Sequence, residues 1–430
     1  MFKKLAKRII VFALELESRL ILKKYKPEII AITGSVGKTS AREAVYSVLS
    51  RKFSVRKSEK NYNNEFGVPL TLIGASSALQ SPVGWLKLMA KGVRLILKKQ
   101  EYPSKIILEI GADRPGDITS FGRYLKPKMG VVTAVGEIPV HVEFFAGPEE
   151  VAKEKAKLIE ILPATSRAIL NGDDFAVLEM KEKSLAQVLT FGFGDDLDLR
   201  ASEYNLLYNE NSPEGITFKL DYQGSSVPMR IFKAFGKQNV YAALAAAAVG
   251  ASYGINLVEI AEALSAYVPP PGRLRLIEGE KETWILDDTY NSSPQAVHAA
   301  IDVLKDLPAK RKIAVLGDML ELGKFTVQAH QKVGQSLKGV ADIVIACGMR
   351  AKFIAEELKN RRFPAKNLTA VSDSLEAGKE LEKIIQPGDL ILVKGSQSMR
   401  MERVVEEIMR HPEKKSELLV RQEPEWLNKA

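Results

Sequence analysis

The sequence predicts an α/β fold made of two successive domains, and three patterns support this expectation. From residue 28 onward, short apolar runs rich in β-branched residues alternate with helical stretches, which is typical of a mostly parallel sheet. The prolines Pro269–Pro271 interrupt this alternation and predict a linker, because proline holds an extended path that few helices or central strands accept. The alternation then resumes, so residues 269–430 are expected to form a second, Rossmann-like α/β domain.

In the first domain, residues 28–268, the order of the segments predicts a parallel core followed by a β insertion. Short alternating strands are expected between Asp198 and Phe235, with turns at Ser212–Gly215 and Gln223–Gly224. The predicted core strands are Ile29–Thr33, Lys105–Ile110, Met129–Ala134 and Ala168–Leu170, and the helices are Ser40–Leu49, Pro148–Leu162 and Asn239–Gly250. In the second domain the predicted strands are Trp284–Asp287, Lys312–Leu316, Ile343–Ala346 and Leu390–Val393.

Residues 1–27 are predicted to form a basic amphipathic helix that ends before Pro27. Residues 85–99 repeat the same pattern of apolar and basic side chains. Either helix could pack on the body of the protein or lie on a membrane surface, so peripheral membrane contact through residues 1–26 and 85–99 stays open. The sequence has neither an apolar run of about 20 residues nor a signal-peptide pattern, so we expect a cytoplasmic protein, with membrane association as the alternative.

Composition excludes several classes of protein. The chain has 430 residues, of which 46% are hydrophobic and 27% charged, so it is neither disordered nor collagen-like. Its one cysteine, Cys347, excludes an internal disulfide and a multi-cysteine zinc site. The net charge of +9 is compatible with nucleic acid, anionic lipid or an anionic small molecule as partner. Aromatic residues do not interleave with the basic segments, so nucleic-acid binding is not expected.

The segment Thr33–Ser40 resembles a phosphate-binding loop (P-loop) in the shorter G-x-x-G-K-T form, since Ile32 stands where the full pattern has glycine. It joins the first predicted strand to its helix, where backbone amides face an anion. Lys38 would contact the β- and γ-phosphates and the Thr39 hydroxyl would bind Mg²⁺. The alternative is a glycine-rich turn with a surface lysine. The predicted phosphate-binding residues are Gly34, Ser35, Gly37, Lys38, Thr39 and Ser40.

Several polar residues follow predicted strands. Glu109 ends an apolar strand and is a candidate Mg²⁺ ligand, and His141 follows the next strand through a loop. Lys155 lies on the following helix, where the residues give no reason to prefer it to Lys153 or Lys157. In the second domain, Arg273 follows the linker and Asp288 ends a strand. They are either surface charges near a hinge or groups that close on the nucleotide.

Nine short blocks occur in the order found in the Mur ligases, which the chain resembles over about residues 28–410. The second and last blocks look like the MurF type, the UDP-N-acetylmuramoyl-tripeptide–D-alanyl-D-alanine ligases. The blocks are Thr33–Ser40, Asn61–Leu72, Glu109–Ala112, His141–Glu143, Gly236–Ala243, Pro271–Arg273, Asp287–Asn291, Gly317–Gly323 and Lys394–Ser398.

This resemblance implies ATP-dependent amide formation in peptidoglycan precursor synthesis. A substrate carboxylate is phosphorylated to an acyl phosphate, which the amine of a dipeptide then attacks. The implied substrates are a nucleotide-sugar peptide and D-Ala-D-Ala, and the implied cofactors are ATP and Mg²⁺ at two sites. The implied catalytic residues are Lys38, His141, Lys155, Arg273 and Asp288.

The resemblance also assigns binding roles residue by residue. Thr39, Glu109 and His141 match metal ligands, and Lys155 matches a lysine that is carbamylated in most of the family, which makes it a further ligand. Asn239 matches an adenine-contacting asparagine, and Arg273, Asp288 and Asn291 match nucleotide-facing residues. The substrate-side candidates are Asn61, Asn63, Asn64, Lys394 and Ser396.

One departure from the family concerns the residues before the P-loop. Family members usually have a UDP-binding domain there, whereas residues 1–27 predict one basic helix. Three interpretations stay open: the remaining domains hold the UDP group, a partner replaces the domain, or the substrate differs and is lipid-linked or presented by a partner. A P-loop scaffold without ligase activity is a further alternative, which has no need of Glu109, His141, Arg273 and Asp288.

Overall fold

The computed structural model describes residues 2–59, 62–78, 81–210 and 212–427, and these form two β-sheets covered by helices. The α/β fold class is therefore confirmed, with a large, mostly parallel first sheet and a separate second sheet towards the C terminus. The two parts of the chain pack together, because one buried cluster contains Ile138 and Val142 from the first part with Leu316 and Met319 from the second.

In the part of the chain described, the first sheet has the strand order β2-β3-β1-β4-β5-β6-β7-β8-β9. The pairs from β2 through to β7 are parallel, and β8 and β9 extend the same sheet through antiparallel pairs. The strands are β1 (Glu28–Thr33), β2 (Val55–Lys57), β3 (Lys105–Glu109), β4 (Met129–Val132), β5 (Arg167–Asn171), β6 (Gln187–Gly192), β7 (Leu199–Asn209), β8 (Ser212–Tyr222) and β9 (Ser225–Phe232).

The helices of this part cover both faces of the first sheet. The Ala-rich helix α8 packs on α2 over a core that includes Ile30 and Phe191, since alanine side chains allow close approach. The helices are α1 (Phe2–Tyr25), α2 (Lys38–Leu49), α3 (Gly67–Ile73), α4 (Pro82–Leu97), α5 (Asp117–Gly122), α6 (Pro148–Glu160), α7 (Phe175–Leu178), α8 (Lys237–Ser252) and α9 (Leu257–Ser265).

The second sheet has the order β10-β11-β15-β12-β13-β14, with β10 antiparallel to β11 and the remaining pairs parallel. Its strands are β10 (Arg275–Glu278), β11 (Trp284–Asp288), β12 (Arg311–Gly317), β13 (Ile343–Cys347), β14 (Leu368–Val371) and β15 (Asp389–Lys394). The helices around it are α10 (Pro294–Asp306), α11 (Thr326–Leu337), α12 (Lys352–Asn360), α13 (Ser374–Ile384), α14 (Glu402–Ile408), α15 (Lys415–Leu418) and α16 (Pro424–Leu427).

One predicted turn in the β insertion is wrong. Residues 212–215 lie in strand β8, and the chain reverses just before them, where Glu210 has a φ of 53°. Pro213 is accommodated because it pairs with Tyr208 at a register shift close to the strand end. The second predicted turn is present, with positive φ at both Gln223 and Gly224, as a tight hairpin requires.

The N-terminal helix α1 packs on α3 and α4 through its inner face. Leu14 and Ile21 are buried with Leu70 of α3 and with Leu88 and Leu95 of α4. None of the helices in the described ranges has both the length and the hydrophobicity needed to cross a bilayer.

Candidate active site

The P-loop joins β1 to α2 through two glycines with positive φ, 146° at Gly34 and 88° at Gly37. A Cβ at Gly34 would lie 2.1 Å from the Thr133 hydroxyl at the end of β4, so only glycine fits there. The Ser35 amide donates to the Ala134 carbonyl at 2.6 Å, which ties the loop to the same strand end. The loop is therefore held tightly around the start of α2, where amides favour an anion.

Lys38 and Thr39 begin α2 and turn towards the end of β3. Lys38 Nζ donates to the Gly34 carbonyl at 2.7 Å, and Thr39 Oγ1 lies 3.2 Å from Glu109 Oε2. Burial lowers the pKa of Lys38, and the nearby carboxylates of Glu109 and Asp113 oppose that shift. Phosphate oxygens would favour the charged ammonium in the same way.

Glu109 is a buried carboxylate at the carboxyl end of β3, paired in register with Ile32 of β1. Arg42 Nη1 approaches its Oε2 at 3.3 Å. The Thr39 hydroxyl and the Glu109 carboxylate are both oxygen ligands of the kind that Mg²⁺ binds. Water and phosphate oxygens would complete the coordination shell of the ion. Among the described residues, no group of three or more His, Cys, Asp and Glu is arranged to hold a metal ion without such additional ligands.

His141 stands between carboxylates from both parts of the chain. Its Nε2 lies 3.3 Å from Asp113 Oδ1, and its Nδ1 lies 2.6 Å from Oε2 of Glu321, which follows β12. The interaction with His141 lowers the pKa of Glu321, while burial opposes the shift. The Glu143 amide also donates to the Glu321 carbonyl at 3.4 Å. The loop after β4 is thereby joined to the second sheet.

The structure distinguishes the three lysines of α6. Lys153 is exposed and pairs with Glu150 at 2.8 Å, and Lys157 pairs with Glu154 at 2.6 Å. Lys155 is 1% exposed and makes no hydrogen bond or ion pair with any residue in the described ranges. Burial lowers its pKa to about 7, and the positive charge of Lys38 contributes to that shift. Lys155 is therefore the chemically unusual member of the set.

Arg273 reaches across from the second part of the chain. Its Nη2 lies 3.4 Å from Thr39 Oγ1, and its guanidinium lies 3.9 Å from the centroid of the Tyr290 ring. Asn291 and Ser293 follow Tyr290 on the loop after β11, and they line one cavity together with Arg273 and the P-loop. A cation from beyond the linker thus lies beside the P-loop threonine.

Three other predicted residues, Asp288, Lys394 and Ser396, are buried behind the loops that contain Asn291 and Glu321 and hold these loops in place. Lys394 Nζ lies 2.5 Å from Asp288 Oδ2 and donates to the Asn291 carbonyl at 2.8 Å. Both charged side chains are buried, and burial raises the pKa of Asp288 and lowers that of Lys394. Ser396 Oγ accepts from the Leu320 amide at 2.9 Å, which anchors the loop that contains Glu321.

A cavity of about 340 Å³ brings most of the predicted site together. Sequence reasoning missed Asp113, Tyr290, Ser293 and Gln397 on its wall; Asp113 could have been found, because it follows the same strand end as Glu109. The predicted residues on the wall are Ser35, Gly37, Lys38, Thr39, Asn63, Asn64, Glu109, His141, Arg273 and Asn291.

A larger cavity of about 900 Å³ adjoins the first and shares Thr39, Asn64, Tyr290 and Gln397 with it. Its wall adds the aromatic side chains of Tyr62, Phe66, Trp85 and Trp426. Asn64 also has a structural role, because its Oδ1 accepts from the amides of Phe66 and Gly67 at the start of α3. Asn61, predicted on the same side, lies outside the described residues.

A small cavity of about 70 Å³ lies on the other side of Gly37, with Asn171, Gln238 and Tyr241 on its wall. Asn239, the predicted adenine contact, directly follows Gln238 in the sequence. Its own side chain is turned to the backbone, because its Nδ2 donates to the Phe235 carbonyl at 2.8 Å. It is 2% exposed and so supports the start of α8. Gln238, Tyr241 and Ala242 of the same helix line the cavity instead.

Comparisons with known proteins agree with this architecture. Residues 32–250 match the family model of the Mur ligase middle domain, and residues 272–397 match that of the Mur ligase glutamate ligase domain. The chain is 30% identical over 404 residues to the UDP-N-acetylmuramoyl-tripeptide–D-alanyl-D-alanine ligase of Bacillus subtilis, covering 93% of this chain and 80% of that one.

Solved structures give the same result. The crystal structure of MurF from Acinetobacter baumannii has a TM-score of 0.76 at 27% identity, covering 91% of this chain and 79% of its own. MurF ligase from Thermotoga maritima in complex with ADP has a TM-score of 0.76 at 25% identity, covering 94% and 84%. The chain therefore belongs to the Mur ligase family of ATP-dependent ligases.

Proposed function

We propose that the protein joins D-alanyl-D-alanine to a UDP-N-acetylmuramoyl-tripeptide at the expense of ATP, in peptidoglycan precursor synthesis. The observation that supports this most is the convergence of Lys38, Thr39 and Glu109 with Arg273 on one cavity, at the contact of the two parts of the chain. The reaction named by the B. subtilis relative requires such a site, because an anionic carboxylate must approach the anionic γ-phosphate.

The proposed reaction has two steps. A carboxylate oxygen of the tripeptide forms a bond to the γ-phosphorus, the bond from that phosphorus to the β,γ-bridging oxygen breaks, and ADP leaves. The amine of the dipeptide then bonds to the acyl carbon, loses a proton and expels inorganic phosphate. Lys38 and Arg273 would compensate the charge of the phosphate oxygens in both steps, because cations held in a water-poor site act strongly on developing charge.

Thr39 and Glu109 are the residues we propose to hold Mg²⁺, and their hydroxyl and carboxylate, 3.2 Å apart, fit that ion. Mg²⁺ bound there would supply positive charge to the phosphates and orient them. His141 and Asp113 line the same cavity and are proposed ligands of a second ion.

Lys155 is proposed to react with CO₂ to form a carbamate, which would be an anionic oxygen ligand at this second site. The reaction forms an N–C bond and releases a proton, so it requires the neutral amine. Its pKa of about 7 and the lack of an ion pair with the described residues both favour that amine at neutral pH. The carbamate would lie close to Lys38, whose charge would stabilise it.

The three cavities suggest how the substrates are distributed. The small cavity next to Gly37, with Tyr241 on its wall, is proposed for the adenine base, and the 340 Å³ cavity is proposed for the phosphates. The larger, aromatic-lined cavity is proposed for the peptide substrates. ATP and UDP-linked peptides are cytoplasmic metabolites, so the proposed location is the cytoplasm.

Phosphate release tests the proposal. The purified protein with Mg²⁺ and ATP should release phosphate only when both UDP-muramoyl-tripeptide and D-Ala-D-Ala are present, with a product heavier by the dipeptide. Lys38→Ala should abolish release, whereas Lys52→Ala, which removes an exposed lysine paired with Glu259, should not. If ATP binds but both substrates together give no release, the protein is not a self-sufficient ligase for this substrate, and either another acyl substrate or the need for a partner is favoured.

A further inference from the structure

Helices α1 and α4 lie side by side at one edge of the molecule. Lys24 Nζ donates to the carbonyls of Leu95 and Ile96, both at 2.8 Å, and the Tyr25 hydroxyl donates to the Leu95 carbonyl at 3.0 Å. Further along, Glu17 lies against Gly92, where a Cβ would come within 2.0 Å of the carboxylate. The inner faces of both helices are thus already buried against each other and against α3.

Both helices nevertheless have a second apolar stripe, on the outside. Spacings of three, four and seven residues place the members of each stripe on one helix face. Every one of these side chains is between 41% and 77% exposed. Single exposed apolar residues are ordinary, but four exposed apolar side chains on one face of each of two adjacent helices indicate a partner. The α1 stripe is Ile9, Phe12, Leu16 and Leu20, and the α4 stripe is Val83, Leu86, Val93 and Leu97.

The excess positive charge of the protein is concentrated on the same two helices. Helix α1 contains seven basic and two acidic residues, and residues 82–99 contain five basic residues and no acidic residue. These segments together have a net charge of +10, whereas the whole chain has +9. The rest of the chain is therefore almost neutral, and the apolar stripes are flanked by a dense set of lysines and arginines.

We infer that this α1–α4 face docks on the surface of an anionic lipid bilayer. An apolar stripe flanked by basic side chains is the pattern of helices that lie in the plane of the interface. The apolar side chains enter the boundary of the acyl chains, and the ammonium groups meet anionic headgroups. A second copy of the chain is a poorer occupant, because two such faces would place like charges together.

This docking does not depend on the proposed ligase reaction, since none of the stripe residues lines either of the two cavities beside the P-loop threonine. An experiment can therefore refute membrane docking without refuting the proposed ligase reaction, and the reverse is also true. Trp85 connects them spatially, because it lies on α4 and on the wall of the larger cavity. Docking would place that cavity near the headgroups.

Flotation of the full chain with lipid vesicles tests the inference. Binding is expected to vesicles containing phosphatidylglycerol and not to pure phosphatidylcholine, and it should weaken as salt is raised. Phe12→Ser with Leu86→Ser should lower the affinity for anionic vesicles roughly tenfold or more. The matched control, Phe175→Ser with Leu185→Ser, removes equally exposed apolar groups elsewhere and should bind as the parent does.

Charge reversal gives a second, independent variant. Lys87→Glu with Lys98→Glu changes exposed side chains, so the fold should persist while vesicle binding is lost. Wild-type protein that fails to float with anionic vesicles would overturn the inference, as would stripe variants that bind as well as the control. A concentration-dependent dimer that the stripe variants abolish would instead identify the face as a contact between two copies.

Discussion

Replacing Lys155 with alanine is the most informative perturbation of the site. At a pKa of about 7, about three quarters of the amine is neutral at about pH 7.5, against about one part in a thousand for an ordinary lysine. At about pH 6 the neutral fraction falls to roughly one tenth. If the carbamate is formed from this amine, activity should depend on dissolved CO₂ and decline steeply below neutral pH.

We expect Lys155→Ala to reduce phosphate release by about 100-fold or more, because loss of a metal ligand should cost at least as much as loss of a group that supports one. Formate or acetate added to this variant should restore part of the activity, because a small carboxylate can occupy the vacated space. Lys153→Ala, on the same helix and exposed, is the matched control and should be fully active. Labelled ¹³CO₂ should give a carbamate signal in the parent protein and not in Lys155→Ala.

Two results would refute this reasoning. Full activity of Lys155→Ala would show that no carbamate is needed. A loss in Lys155→Ala that is unaffected by short carboxylates, combined with activity of the parent that is independent of CO₂, would assign Lys155 a purely structural role.

Three further predictions concern the P-loop, a buried ion pair and the α1–α4 contact. Gly34→Ala should lose ATP binding by more than about tenfold in calorimetry, since its Cβ would collide with a threonine hydroxyl, whereas Gly147→Ala has open space and should bind normally. Asp288→Ala leaves the Lys394 ammonium buried without its counter-charge and should cost about 3–5 kcal/mol of unfolding free energy, part of which Lys394→Met should restore. Burial raises the pKa of Glu17 from 4.5 to about 7, so its stabilising contribution is complete below pH 4.5 and is lost as pH rises through 7. Relative to Glu17→Gln, the parent should lose at most about 3 kcal/mol over that interval in denaturant titrations, and equal pH profiles would contradict the assignment.

Local signals predicted the elements of the fold well. The strand, glycine turn and helix of the P-loop are encoded within residues 28–49, because each step depends on nearby side chains and backbone freedom. The sequence did not predict short elements such as β2 and the seven-residue helix α3. Their conformation depends on contacts with neighbouring strands and with α1, which are distant in sequence. The turn expected at residues 212–215 failed for a similar reason, because pairing with β7 determined where the chain reverses.

The contacts that individual site residues make were harder to predict from the sequence than the elements of the fold. Lys394 and Ser396 were expected near the substrates, yet they contact Asp288 and Leu320 behind the cavity wall. Glu321 received no role, although it contacts His141 from the other part of the chain. Each of these contacts joins residues more than 70 positions apart, so no local pattern could reveal them.

The sequence by itself determined the α/β class, the order of the strands and helices along the chain and the phosphate-binding loop, because these depend on periodicity and on the chemistry of adjacent residues. It also contained the basic, apolar pattern of α1 and α4, without indicating that each helix has one buried and one exposed apolar stripe. Only the tertiary structure decided that Lys155 is buried while Lys153 and Lys157 are paired. Burial and long-range pairing set the protonation of a group, and both are properties of the packed chain.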